Sequence, residues 1–193
     1  MFTPDTLSFL AELEAHNEKS WFDANRKRYE QHFVAPGKAL VEAVSARVGL
    51  PGKAMRIFRD VRFSKDKTPY KPHLDTWWAS STGEWGPGLF ARLRPGSFLV
   101  GVGCHGFDKP ALASFRAAVA KDGAALERAV GTSEVGGSTL KRMPKGYPEH
   151  PYMLHTGFWV SDEVAPPSDP VEHVVARFER WRPVREWLCG ALG

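Results

Sequence analysis

The sequence has 193 residues, 42% of them hydrophobic and 12% aromatic, with a formal net charge of +4. This composition is sufficient for a sizeable core and is untypical of a disordered chain. No run approaches the roughly 18 apolar residues of a membrane span, the start lacks the pattern of a secretory signal, and two cysteines, Cys104 and Cys189, are too few for a disulfide framework. We therefore expect a single cytoplasmic domain over 1–193 that has no membrane association.

The first 50 residues predict a helical layer. Thr3-Pro4-Asp5 is an N-cap followed by a proline at the first helical position. Apolar residues recur at helical spacing after this cap, after Asn17 and after Pro36. The turn Leu50-Pro51-Gly52 is expected to end the layer over 1–50.

Residues 53–105 predict a sheet. Apolar and polar residues alternate between Met55 and Phe63, and the alternation predicts a half-buried strand over 56–63. On this pattern Arg59 lies on the apolar face, where its guanidinium needs an acid, several carbonyls or an anionic ligand as a partner. Further strands are predicted at 73–79, 89–94 and 98–104, and their short connections favour antiparallel pairing.

The remaining segments predict mostly helix. Capping residues and helical spacing predict helices over 108–131 and a C-terminal helix over 169–192, which Pro183 should kink or break. Residues 139–160 predict a basic, irregular segment that ends in an edge strand. The sequence thus predicts an α+β fold, a mainly antiparallel sheet of about four to five strands with N-terminal and C-terminal helices packed on it.

Positive charge is concentrated in one part of the chain. The segment from Lys53 to His73 holds seven Lys or Arg residues and two acids, so this segment alone carries a formal charge of +5. Arginines present planar forks that suit phosphate or carboxylate, and lysines supply mobile point charges. A second basic cluster follows at 141–145, and the two clusters form one pocket only if the fold brings them together.

We therefore predict a site for an anionic ligand, with two acids that orient the cations. The acids are Asp60 and Asp66, and the predicted ligand-binding residues are Arg59, Arg62, Ser64, Lys65, Lys67, Tyr70, Lys71, Lys141, Arg142 and Lys145.

The run from Arg59 to Lys71 has the form RDxRFSKDKxPYK. It resembles the signature of a widespread family of uncharacterised proteins of bacteria and fungi, a domain of unknown function. Trp21-Phe22 and the segment Leu140–Tyr147 ahead of His150-Pro151 agree with that family in order, so the resemblance spans nearly the whole chain. Where the family has a pair of asparagines, this chain has His16-Asn17. The resemblance implies no activity, substrate or cofactor.

Three functional classes are consistent with the basic segment. The first is a binder or an enzyme that acts on an anionic small molecule through it. The second is a nucleic-acid-associated module, since aromatic residues that could stack on bases are interleaved with the charges, namely Phe58, Phe63, Tyr70, Trp77 and Trp78. The third is a non-catalytic scaffold in which the charges pair internally, Asp60 with Arg62 and Asp66 with Lys67 or Lys71.

One further pattern is weaker. His73-x-Asp75 places an imidazole and a carboxylate on the same face of a predicted strand, which suits a metal or an acid–base centre. The chain has no CxxC, HxxxH or HExxH spacing, and we predict neither a metal nor a cofactor.

Overall fold

The computed structural model describes residues 2–79 and 86–193. Residues 80–85 fall within the predicted sheet segment 53–105 and lie outside the described residues. The described part of the chain contains an N-terminal run of helices, a sheet and three further long helices. Among these helices none is long and apolar enough to cross a membrane.

The N-terminal helices follow one another closely. The first begins as predicted, because Thr3 accepts a hydrogen bond from the Thr6 N–H and a proline occupies its first turn. Asn25 separates the second and third helices, and one π-helical turn connects the third to the fourth. The bounds are α1 Pro4–Ala15, α2 Lys19–Ala24, α3 Arg26–Tyr29, the π-helical turn Glu30–Val34 and α4 Ala35–Val48.

Six strands form one sheet in the order β1-β2-β3-β4-β6-β5. The α+β prediction of an antiparallel sheet with N-terminal and C-terminal helices is confirmed, with six strands instead of four to five. The bounds are β1 Gly52–Ala54, β2 Leu74–Trp78, β3 Gly88–Leu93, β4 Phe98–Cys104, β5 Glu134–Gly136 and β6 Phe158–Val164.

The strand predicted over 56–63 is wrong. Strand β1 ends at Ala54, and the segment after it makes a single antiparallel bridge, between Phe58 and Tyr70. Arg59 donates its backbone N–H to the Pro69 carbonyl at 2.9 Å. Proline has no N–H with which to return that bond, so the ladder cannot continue. The alternation of apolar and polar residues also does not match burial here, because Phe63, one of its apolar positions, is 96% exposed.

The later elements agree with the predictions in type, and one of them differs in its place in the sheet. α5 spans Lys109–Val130 and is kinked at Asp122, and a 3-10 turn occupies Pro151–Leu154. Strand β6 lies between β4 and β5, so the prediction of an edge strand in 139–160 is wrong. The C-terminal helix is broken as predicted, at Trp181, two residues before Pro183, which gives α6 Pro170–Arg180 and α7 Arg182–Leu192.

The chain divides into two compact units. The first contains the described residues of Met1–Trp78, Phe90–Leu99 and Glu163–Val175, and the second contains those of Ala79–Leu89, Val100–Asp162 and Ala176–Gly193. The prediction that 1–193 is a single domain stays a prediction beside this division. The two predicted basic clusters belong to different units, 59–71 to the first and 141–145 to the second.

Within the first unit, one face of strand β2 belongs to the core. Leu74, Thr76 and Trp78 are buried, whereas Asp75 and Trp77 point the other way and are half-buried. The Trp78 indole N–H donates to the backbone carbonyl of Val41 in α4 at 3.3 Å. Packing is so close that a Cβ on Gly52 would lie 2.3 Å from Cδ1 of Trp78. The outward face of β2 is therefore the one on which polar chemistry can be placed.

Candidate functional site

Residues 59–71 form a loop without helix or strand, which we call the basic loop. Within it, Arg59 is half-buried and paired with an acid. Its side chain is 25% exposed, and Nη1 donates to Oδ2 of Asp66 at 2.5 Å and also to the Thr68 hydroxyl. Hydrogen bonds from the Thr68 backbone, from Arg59 and from the Thr68 hydroxyl lower the pKa of Asp66 to about 2. Of the three kinds of partner expected for Arg59, the structure supplies the acid. The expected pairing of Asp66 with Lys67 or Lys71 is wrong, because the Asp66 carboxylate instead forms an ion pair with Arg59 across the loop.

Arg62 is held by the second acid of the motif. Its Nε and Nη2 approach the Asp60 carboxylate to 2.9 Å and 2.6 Å, as the scaffold hypothesis anticipated. The hydrogen bonds from Arg62 lower the pKa of Asp60. Both side chains are exposed, and the guanidinium carbon lies 5.8 Å from the centroid of the Phe63 ring. Both arginine forks of the motif are thus engaged by the acids of the motif.

The lysines of the loop are not neutralised in this way. Lys67 donates to the backbone carbonyl of Val61 at 2.9 Å, and no acid among the described residues forms an ion pair with it. Lys65 is exposed and has no ion-pair partner within residues 2–79 and 86–193. Ser64 is half-buried, and its backbone N–H donates to the same Val61 carbonyl. Positive charge at the tip of the loop therefore comes mainly from lysine.

Tyr70 anchors the end of the loop in the core. Its ring is stacked on Phe22, with centroids 4.2 Å apart and an interplanar angle of 16°, and the residue is only 4% exposed. The Asn17 amide donates to the Tyr70 carbonyl at 2.8 Å and accepts from the Tyr70 N–H at 3.0 Å. Tyr70 thus has a structural contact that accounts for it, and Asn17 clamps the loop to the helical layer.

A second constellation lies on the outward face of the sheet, and we call it the Asp75 cluster: Lys71, His73, Asp75 and Arg92. Asp75 accepts from Arg92 Nε at 2.6 Å and Nη2 at 3.2 Å. His73 Nε2 lies 3.3 Å and Lys71 Nζ lies 3.8 Å from the same carboxylate. The Asp75 side chain is 18% exposed and those of Lys71 and His73 are similarly half-buried. Three cationic or protonatable groups therefore surround one carboxylate.

Asp75 remains ionised in these surroundings. Burial raises its pKa, but hydrogen bonds from His73 and Arg92 outweigh the effect of burial and lower the pKa to about 2. The sequence pattern His73-x-Asp75 correctly placed the imidazole and carboxylate together. Arg92 was missed, because its position opposite Asp75 depends on the register between β2 and β3, which no local pattern gives.

The second basic cluster is a separate feature of the second unit. Lys141, Arg142 and Lys145 are exposed and make no ion pair with any residue that the structure describes. Among those same residues, no three His, Cys, Asp or Glu side chains are close enough to hold a metal ion.

The Asn17 clamp generates a stability prediction. Asn17→Ala removes both hydrogen bonds to the Tyr70 backbone, each of which contributes about 1 kcal/mol. We expect the free energy of unfolding, measured by urea denaturation, to fall by about 2 kcal/mol. Asn17→Asp keeps the acceptor for the Tyr70 N–H but sets a carboxylate oxygen against the Tyr70 carbonyl, so it should not recover the lost stability. An Asn17→Ala protein as stable as the wild type would show that the clamp is unimportant.

The lowered pKa of Asp75 generates a pH prediction. The folded pKa lies below the unfolded value, so ionised Asp75 stabilises the fold above about pH 4, and this contribution is lost as the pH falls towards 2. Between pH 5 and pH 2 the wild type should therefore lose about 2 kcal/mol more stability than Asp75→Asn. Denaturation of both proteins at several pH values measures the difference. Parallel pH profiles would contradict the assigned pairing.

The comparisons with known proteins give a family and no function. No curated protein and no solved structure matches the chain. One family model, described as a conserved hypothetical protein, matches residues 5–187. The chain therefore belongs to the DUF2461 family of conserved hypothetical proteins.

Proposed function

We propose that the protein binds a small ligand that carries a phosphate or carboxylate group, and that the Asp75 cluster receives this group. The observation that carries the proposal is the convergence of Lys71, His73 and Arg92 on one half-buried carboxylate. Two permanent cations face one anion there, so the cluster carries at least one unbalanced positive charge. A ligand anion is the simplest partner for that excess.

The cluster also retains hydrogen-bond donors. Arg92 uses Nε and Nη2 on Asp75, and His73 uses Nε2. In the part of the chain that the structure describes, Arg92 Nη1 makes no hydrogen bond, and Lys71 is held only by a long contact of 3.8 Å. Asp75 fixes the orientation of these groups before a ligand arrives, which reduces the entropic cost of binding.

The basic motif contributes to this proposal through its lysines more than its arginines. Arg59 and Arg62 are already paired with Asp66 and Asp60, so they shape the loop. Lys71, the last residue of the motif, is the one that joins the Asp75 cluster. The internal pairs are also what the scaffold hypothesis predicts for the loop, and the excess charge around Asp75 is what that hypothesis leaves unexplained.

The Asp75 cluster is compatible with catalysis as well as binding. A carboxylate that accepts from one imidazole nitrogen orients the other towards a ligand, which is how a histidine general base is commonly held. We propose His73 as that base if the ligand is turned over.

Binding can be tested by titration calorimetry at low ionic strength, with inorganic phosphate and ribose 5-phosphate as probes. Lys71→Ala removes one charge-assisted contact and should weaken the Kd about tenfold or more. Lys38→Ala is the matched control, since Lys38 is an exposed lysine on α4 and makes no ion pair with any described residue. The proposal fails if the wild type binds neither probe or if both variants lose affinity equally.

A nucleic-acid interface is a second candidate, supported by one specific observation. Phe63 is 96% exposed at the tip of the basic loop, and Phe58 is 47% exposed. Of the other aromatic residues considered for stacking, Tyr70 and Trp78 are buried. An exposed ring beside Arg62, with Lys65 and Lys67 on the same loop, suits the stacking of an unpaired base next to a phosphate.

Fluorescence anisotropy with a labelled single-stranded oligonucleotide tests this candidate. Phe63→Ala should weaken binding about fivefold to 100-fold through the loss of stacking, while Lys65→Ala should reduce the slope of log K against log salt by about 0.7. Leu140→Ala, which removes an exposed apolar side chain from the second unit, is the control. Absence of binding by the wild type, or a salt-independent affinity, would rule the interface out.

A further inference from the structure

An aromatic surface adjoins the Asp75 cluster on the same face of the sheet. The Asp75–Arg92 hydrogen bonds and the contact between the Trp77 and Phe90 rings show that these are successive cross-strand pairs of β2 and β3. Residues two apart on a strand point to the same side and lie about 7 Å apart. Trp77 therefore projects from the sheet beside the charged cluster, at about that distance from it.

Phe90 covers only part of the Trp77 indole. Their planes are nearly parallel, at 13°, but the centroids are 6.4 Å apart, so the rings are displaced sideways and overlap little. Trp77 is half-buried, in contrast to its neighbour Trp78, which is completely buried. Trp77 therefore offers part of its indole surface for stacking, next to the charged groups of the Asp75 cluster.

A further cation lies on this face. Lys53 of β1 is the cross-strand partner of Trp77, and directly opposed residues project to the same side of the sheet. Lys53 is exposed and makes no ion pair within the described ranges. The face thus presents an indole between the Asp75 cluster along the strand and a free ammonium group across it.

We propose that the ligand carries a planar aromatic ring in addition to its anionic group, as a nucleoside phosphate does, and that the ring stacks on Trp77. This inference rests on the proposed function, because the anionic group is the part that the Asp75 cluster holds. The separation of about 7 Å between adjacent same-face positions sets the distance between ring and anion in the ligand. A ligand of this class engages both features at once, whereas a sugar phosphate engages only the charges.

The test compares adenosine 5′-monophosphate with ribose 5-phosphate, which has the same phosphate and sugar but no base. The wild type should bind the nucleotide about fivefold to 100-fold more tightly, the range expected for stacking on one aromatic side chain. Trp77→Leu should abolish this preference and leave the affinity for ribose 5-phosphate unchanged. Trp77→Phe keeps a ring and should retain part of the preference, so it serves if the leucine variant is poorly folded. Trp187→Leu, which replaces another half-buried tryptophan, is the control.

The outcomes separate the two proposals. Equal binding of both probes, with no effect of Trp77→Leu, overturns the aromatic ligand and leaves the anion site in place. If neither probe binds, the anion site fails and the aromatic inference fails with it. A preference for the nucleotide that Trp77→Leu removes and Trp187→Leu preserves supports both.

Discussion

The candidate site depends on the fact that strands β2 and β3 bury one face only. Leu74, Thr76 and Trp78 fill the core of the first unit, and the strand period of two then places Asp75 on the opposite side. A carboxylate held 18% exposed loses much of its hydration and must be compensated by charged or hydrogen-bonding partners. The cations around Asp75 are therefore a consequence of the packing behind it.

The basic loop is organised by a different constraint, the anchoring of its return segment. Pro69 restricts the backbone, Tyr70 packs on Phe22, and the Asn17 amide satisfies both backbone groups of Tyr70. With that end fixed, the pair Arg59–Asp66 spans the loop. Exposed ion pairs contribute little stability individually, so their effect here is on the shape of the loop more than on the fold.

Sequence patterns predicted the elements that local interactions determine. The Thr3 cap, the break of the C-terminal helix near Pro183 and the strand that became β2 depend on neighbouring residues and were predicted correctly. The alternation from Met55 to Phe63 gave a wrong prediction because, in that segment, only Ile57 is buried in the core, whereas Phe63 is exposed to solvent.

What the sequence could not supply was register. Arg92 faces Asp75 only because β2 and β3 pair with that alignment, and a shift of one residue would place Arg92 on the core face. The interior position of β6 likewise depends on the order of the strands in the sheet. The hydrophobic pattern of a single strand does not determine that order. Long-range pairing thus decides which charged residues meet, whereas local pattern decides only which face they occupy.

The density of positive charge in the motif is consequently a poor measure of how much of that charge is left without an acid. Arg59 and Arg62 are the residues best suited to hold a phosphate, yet each is occupied by an acid from the same loop. The Asp75 cluster differs because one carboxylate holds more than one cation. Without Asp75, Lys71 and Arg92 would repel each other, and without the second cation no positive charge would remain. One ionised acid, with a pKa of about 2, therefore lets the two cations lie close together while the cluster as a whole keeps a net positive charge.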